Sequence, residues 1–269
     1  MKPSKTVILR RYLSTAITHP HDAFRFLFGT AEERTKIISQ HMRIEKAFRR
    51  FTDSIAILCD MPQSTAYGYL HEARLDEVCQ QVLNATQQRS FGQIPSPEAI
   101  YALCRILKPQ IVVETGVASG VSSAFILQAL RRNERGRLVS IDMPGYDNIM
   151  AQKRVALYAP ETTVPIQEGL GTGWIVPDTL RSRWTLEIGL TSEVLPKVLE
   201  KVKEVDVFLH DSEHTYENMI WEYTTVWPFL SRGGLLLSHD ISWNAAFADF
   251  AHKVERRPII VGEIGALRK

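Results

Sequence analysis

Ile111-Val-Val-Glu-Thr-Gly-Val-Ala-Ser-Gly120 is a short apolar run that reaches an acid and passes at once into a glycine turn. Three β-branched apolar residues in a row suit a strand covered on both faces, not one alternating between core and water. Gly116 and Gly120 let the backbone turn tightly and approach a neighbour or ligand closely. Beyond them, Ser119 to Arg132 has the texture of a helix. A buried strand that turns through glycine into a helix is the start of a βαβ unit. The spacing is acid-x-Gly-x-x-x-Gly and not the Gly-x-Gly-x-x-Gly of a dinucleotide-binding turn.

The same alternation continues outward. Upstream, Ser96-Pro97 opens a helix to about Lys108, with Ser96 as cap and Pro97 in the first turn. Downstream, strands are expected at 138–141, 184–188, 205–209 and 235–238, with helices at 147–158, 192–203, 216–230 and 243–254. Residues 258–261 and 264–267 read as a closing pair of strands around Gly262. Seven strands, mostly apolar and separated by helices, predict an α/β fold: a Rossmann-like, doubly wound, mostly parallel seven-stranded sheet. Ligands of such sheets bind beyond the carboxyl ends of the strands, so the residues just after each strand carry the chemistry.

Residues 1–90 have a different texture. A three-to-four spacing runs through Ile38, His41, Met42, Ile44, Phe48 and Phe51, and no strand pattern appears. The chain is thus expected to divide into a helical N-terminal appendage, 1–90, and a sheet-bearing domain, 91–269. Residues 1–53 hold eleven Lys/Arg against five Asp/Glu, a local +6 in a chain of net charge +2. A solvated helical face explains such an excess, and a docking surface for an acidic partner or membrane is the second reading. The helical appendage is expected to roof the pocket or to form a homodimer face. A total of +2 gives no reason to expect a nucleic-acid partner. With 45% apolar and 23% charged residues, the disordered and collagen-like classes are excluded. Cys59, Cys79 and Cys104 have no metal-ligand spacing and are odd in number. With no secretory leader or run of about 18 apolar residues in view, they fit reduced thiols in a cytoplasmic protein without a membrane span.

Three further strand ends hold candidate site residues. Asp142 follows the second strand, where a carboxylate can accept both ribose hydroxyls of a nucleoside cofactor. After the fourth strand stands His210-Asp-Ser-Glu-His-Thr-Tyr-Glu-Asn218. Five ionisable side chains in eight residues are costly to bury unless paired or bound to something. Part of the cluster suits helix capping, with Thr215 as N-cap and Asn218 three residues on. The fifth strand ends Ser238-His-Asp-Ile241. Asp211 and Asp240, with His214 or His239, would suit Mg²⁺ or Mn²⁺, or a general base with its partner.

On these residues the chain resembles class I S-adenosylmethionine-dependent methyltransferases, and in particular methyltransferase family 24. The matching stretches are IVVETGVASGVSSAFIL, GRLVSIDMPG, GWIVPDTLRSRWTLEIG, VDVFLHDSEHTYENM and PFLSRGGLLLSHDISWNAAFADF, from about Gly92 onward. Macrocin-type and caffeoyl-CoA-type O-methyltransferases are more distant relatives. The resemblance implies S-adenosylmethionine as cofactor. It implies a cofactor site of Glu114, Gly116, Ala118, Ser119, Gly120 and Ser122 on the first turn, Asp142 on the ribose, Leu190 and Thr191 by the adenine, and Asp211. Leu190 stands where relatives often carry Asp. Asp211 and His214 are the expected catalytic pair, acting on a small-molecule methyl acceptor, with O-methylation the expected reaction. Metal-dependent relatives place Asp, Asp and Asn where this chain has Asp211, Asp240 and Ile241. The competing readings are a nicotinamide dehydrogenase, a non-catalytic cofactor-binding or scaffold protein, and a metal-dependent hydroxylase on a methyltransferase-like fold.

Overall fold

The computed structural model describes residue 30 and residues 50–89, 94, 96–143 and 170–269. The expected helix at 147–158 and most of the basic N-terminal segment, with the dimer contact assigned to it, lie outside the described residues. Backbone contacts divide the chain into two compact units, Met1–Arg50 and Phe51–Lys269. Every strand among the described residues belongs to the second.

Seven strands form one sheet: β1 (Ile111–Thr115), β2 (Arg137–Asp142), β3 (Trp184–Ile188), β4 (Val205–His210), β5 (Leu230–Ser238), β6 (Ile259–Val261) and β7 (Ile264–Arg268). Their order is β3-β2-β1-β4-β5-β7-β6. The first five run parallel, and β7 is antiparallel to both its neighbours. The expected seven-stranded, mostly parallel, doubly wound sheet is therefore the observed one. The chain winds outward from β1 to β3, then crosses back to β4. The order reverses between β1 and β4, which places the ligand crevice at their carboxyl ends.

The helices follow from apolar stripes and local stop signals. Before the sheet come α1 (Gln63–Leu75), α2 (Glu77–Arg89) and α3 (Pro97–Leu107). Within the sheet region lie α4 (Val121–Arg132), α5 (Thr191–Val202), α6 (Tyr216–Val226) and α7 (Ala246–Lys253). Pro97 opens α3 as expected, although Ser96 makes no side-chain cap. Lys108 ends α3 in the left-handed conformation with φ of 49°. Two short 3₁₀ turns, Asp178–Arg183 and Trp227–Phe229, were not legible in the sequence. The second cuts α6 short at Val226, because Pro228 cannot continue a helix.

Helices α1 to α4 pack together, and α5, α6 and α7 cover the other side of the sheet. That second layer buries Val113, Val139 and Phe208 of the strands against Leu195, Leu199, Met219, Tyr223 and Phe250 of the helices. One polar device ties the N-terminal helices to the rest. Asp76 caps α2 by accepting from the amides of Val78 and Cys79 at 3.0 and 3.2 Å. Its other oxygen accepts from Gln128 and Arg132 of α4, each at 2.6 Å. Burial alone would raise this carboxyl, but Arg132, Gln128 and the Cys79 amide outweigh it and hold it below its ordinary value.

Candidate active site

The crevice begins at the glycine turn. Thr115, the last residue of β1, is followed by Gly116 with φ of 82°, Ala118 with φ of 48° and Gly120 with φ of 92°. A Cβ at Gly116 would overlap the carbonyl oxygen of Asp211, so the turn after β1 lies directly against the end of β4. One at Gly120 would stand 2.8 Å from the Cα of Gly173. The Gly173 amide donates to Ala118 oxygen at 2.8 Å, and the Ile175 amide to Ser119 oxygen at 3.1 Å. The Gly-Trp-Ile-Val stretch is thus strapped along the turn.

Glu114 lies beneath the turn, wholly buried. Its carboxylate accepts from Ser122 at 2.5 Å, Ser123 at 2.6 Å and Ser140 at 2.7 Å. Burial pushes the carboxyl up to about 7, against the downward pull of these hydroxyls; the charge of Asp211 adds to the rise. Ser122, expected with Glu114 among the cofactor ligands, is bonded to it instead of exposed. Ser140 also accepts from the indole of Trp184 at 2.9 Å, a link across β2 and β3.

Asp142 ends β2, half-buried. One oxygen accepts from the Val117 amide at 3.2 Å and the other from the Thr172 hydroxyl at 3.1 Å. Burial raises this carboxyl despite those bonds. Thr172 is a contact that sequence reasoning missed; the expected ribose position already holds a hydroxyl. Gly189 donates to Asp142 oxygen at 2.9 Å, which brings Leu190 and Thr191, both half-buried, to the next strand end. Leu190 is the N-cap residue of α5 and makes no side-chain cap.

The acidic and imidazole groups gather at the ends of β4 and β5. Asp211 accepts from the Nδ1 side of His239 at 2.8 Å. His214 Nε2 stands 3.6 Å from Asp211 and 3.7 Å from Asp240, and His239 Nε2 stands 3.5 Å from Asp240. These last three separations are too long for good hydrogen bonds. Accordingly, Nε2 of both His214 and His239 is buried without a hydrogen-bond partner. Burial would raise the Asp211 carboxyl, but the two imidazoles beside it hold it below the carboxylate range. For His239 burial pulls down, and Asp211 with Asp240 carries the imidazole above its usual value. Asp240 has φ of 51°, an uncommon backbone state of the kind found at functional sites. Trp243, 61% exposed, leans on His214 with ring centroids 5.2 Å apart.

Asp211, His214 and His239 can each offer one ligand atom, all within 4.8 Å of one another. The expected metal pair was Asp211 with Asp240; in the structure Asp240 borders that group, and His239 joins it. Thr215 caps α6 as expected, accepting from the Asn218 amide at 3.3 Å. The HDSEHTYENM cluster therefore does both jobs: its second half caps a helix, and Asp211 and His214 face the crevice group.

Residues 113–241 match the family profile described as a methyltransferase domain, methyltransferase family 24. No curated protein matches the chain. Among solved structures, the S-adenosylhomocysteine-bound methyltransferase PaMTH1 of Podospora anserina superposes with a TM-score of 0.50 at 14% identity, over 72% of this chain and 88% of that one. The O-methyltransferase TomG of Streptomyces achromogenes, solved with S-adenosylmethionine, gives 0.48 at 15%, over 72% and 89%. An O-methyltransferase from Bacillus cereus, solved with S-adenosylhomocysteine, gives 0.49 at 14%, over 72% and 91%.

Proposed function

We propose that this chain, whose residues 113–241 match a methyltransferase-domain profile, transfers a methyl group from S-adenosylmethionine to an oxygen of a small molecule. The observation that supports the reading best is the convergence of Asp211, His214, His239 and Asp240 where the glycine turn after β1 abuts the end of β4.

The residues present fit the cofactor. The Asp142 carboxylate, at the end of β2, exchanges its Thr172 partner for ribose hydroxyls, a gain of two charge-assisted bonds for one. The turn at Gly116 to Gly120 approaches the cofactor through backbone, and Leu190 and Thr191 border the adenine. Asp211 flanks the methionine end, its backbone held against Gly116. When bound, the cofactor supplies a methyl carbon on a sulfonium, displaced with its bond pair returning to sulfur. The protein's part is to hold the acceptor oxygen in line with that carbon and to take its proton.

His214 is suited to the second task. Its Nε2 is buried and makes no hydrogen bond, so the tautomer protonated at Nδ1 would offer that nitrogen to the acceptor's hydroxyl proton. Asp211 and Asp240, 3.6 and 3.7 Å away, stabilise the imidazolium that results. Asp211, His214 and His239 also fit a divalent cation, which would lower the pKa of an acceptor hydroxyl. Two imidazoles with one carboxylate favour Mn²⁺ or a later transition metal over Mg²⁺, which prefers oxygen donors.

Asp211→Ala removes the partner of the base and a ligand of the cation at once. Turnover, followed as labelled methyl transferred to a panel of small hydroxylated compounds, is expected to fall at least about a hundredfold, with S-adenosylhomocysteine still bound. Unchanged turnover would take Asp211 and His214 out of the reaction.

A further inference from the structure

Glu222 lies on α6 and has no exposed surface. Four donors nevertheless converge on its carboxylate. Oε2 accepts from the Thr115 hydroxyl at 2.6 Å and from the Nδ1 side of His210 at 2.8 Å. Oε1 accepts from the Ser212 hydroxyl at 2.6 Å and from Asn218 Nδ2 at 3.2 Å. These partners come from the last residue of β1, the last residue of β4, the loop after β4, and the first turns of α6. Burial would push this carboxyl up, but the charge of His210 and the bonds from His210, Ser212 and Thr115 hold it down, so it is a buried anion.

The arrangement brackets one residue. His210 and Ser212 are the chain neighbours of Asp211 on either side, and each is tied to a different oxygen of the same carboxylate. The Asp211 amide is fixed as well, donating to Thr115 oxygen at 2.8 Å. Asn218 closes the loop by also donating to Glu213 oxygen at 2.9 Å. His210, once oriented by Glu222, sets its ring edge-to-face against His214, with centroids 5.3 Å apart. Simple structural filler would not need an anion here. A buried carboxylate without compensation costs several kcal/mol, and apolar residues fill such space as well or better.

We infer that Glu222 is a positioning residue for the reaction: it clamps His210 and Ser212 on either side of Asp211 and so fixes the Asp211 carboxylate and the His214 ring relative to the turn after β1. The inference rests on the proposed function, in that the clamped residues are the reacting ones.

Glu222→Gln keeps the shape but replaces one acceptor oxygen with an amide that cannot accept. Ser212→Ala removes one arm of the clamp without touching the buried charge, and serves if the first variant does not fold. The position of Asp211 is read directly from the proton on His239 Nδ1, which bonds it, by NMR of ¹⁵N-labelled protein. Both variants are expected to shift or broaden that resonance while S-adenosylhomocysteine still binds, and in Ser212→Ala, which leaves the Glu222–His210 pair intact, the melting temperature stays within a few degrees. In the labelled-methyl assay kcat falls at least about tenfold with KM for S-adenosylmethionine within about twofold, as expected for misaligned reacting groups. The double variant is no worse than Glu222→Gln, because Ser212 acts through Glu222. A lowered melting temperature with the His239 resonance unmoved, or fully additive losses, would make Glu222 a stability residue and overturn the inference. Wild-type protein that fails to bind S-adenosylhomocysteine would instead overturn the proposed function and this inference with it.

Discussion

Glu114 shows how a residue that the sequence marks out is then held by the fold. Its place before the glycine turn suggests a cofactor ligand; the structure gives it three serine hydroxyls and no exposed surface. The consequence is a pH dependence. Burial raises the folded carboxyl from 4.5 to about 7, so across that window the folded state keeps a proton that the unfolded chain releases. The unfolded state then binds fewer protons, and this residue's contribution to stability falls as pH rises from about 4.5, levelling off above about 7. A shift of this size corresponds to about 3 kcal/mol. Glu114→Gln cannot ionise, so its stability relative to wild type should improve by roughly that amount between pH 4.5 and pH 8 in urea unfolding. A difference that stays flat with pH would mean an ordinary carboxylate. Gly116 belongs to the same scale. Alanine there combines φ of 82° with overlap on the Asp211 carbonyl, and should cost at least about 2 kcal/mol in the same assay.

At the scale of elements, the best test of packing is the Asp76 clamp. Asp76 holds the start of α2 and, through Gln128 and Arg132, the flank of α4. Asp76→Ala removes a helix cap and leaves both donors facing each other, with an expected loss of about 3 kcal/mol in urea unfolding. Asp76→Asn, which keeps the cap acceptor, should lose less. The strands were legible because β1, β2, β4 and β5 are apolar runs without alternation, and the sheet buries them on both faces. Their ends were legible for the same reason: chemistry-bearing residues follow the runs at Asp142, Asp211 and Asp240. What escaped was long-range. Thr172 meets Asp142 from thirty positions away in the chain, and no local pattern marks that contact. His239 was visible only as one of two imidazoles near Asp211. Glu222 did leave a signal. It shares the buried stripe of α6 with Met219, Tyr223 and Val226, and an acid in an apolar stripe is a buried, partnered acid.

For the whole molecule, the compact unit begins at Phe51, so α1 and α2 lie within the same unit as the sheet. We propose that the division of roles still falls near residue 90, with the cofactor site drawn wholly from residues 91–269. Among the described residues no helix is long and apolar enough to cross a membrane. The crevice needs four strand ends at once: the turn after β1, Asp142 after β2, Leu190 and Thr191 after β3, and Asp211 after β4. In the proposed reading these ends meet the ribose, the purine and the amino-acid end of one S-adenosylmethionine. Titration calorimetry of the purified protein with S-adenosylhomocysteine, and with NAD as control, tests this most directly. Saturable heat with S-adenosylhomocysteine, none with NAD, and loss of the signal in Asp142→Ala is the expected result. No binding of S-adenosylhomocysteine, or preferential binding of NAD, would contradict the assignment.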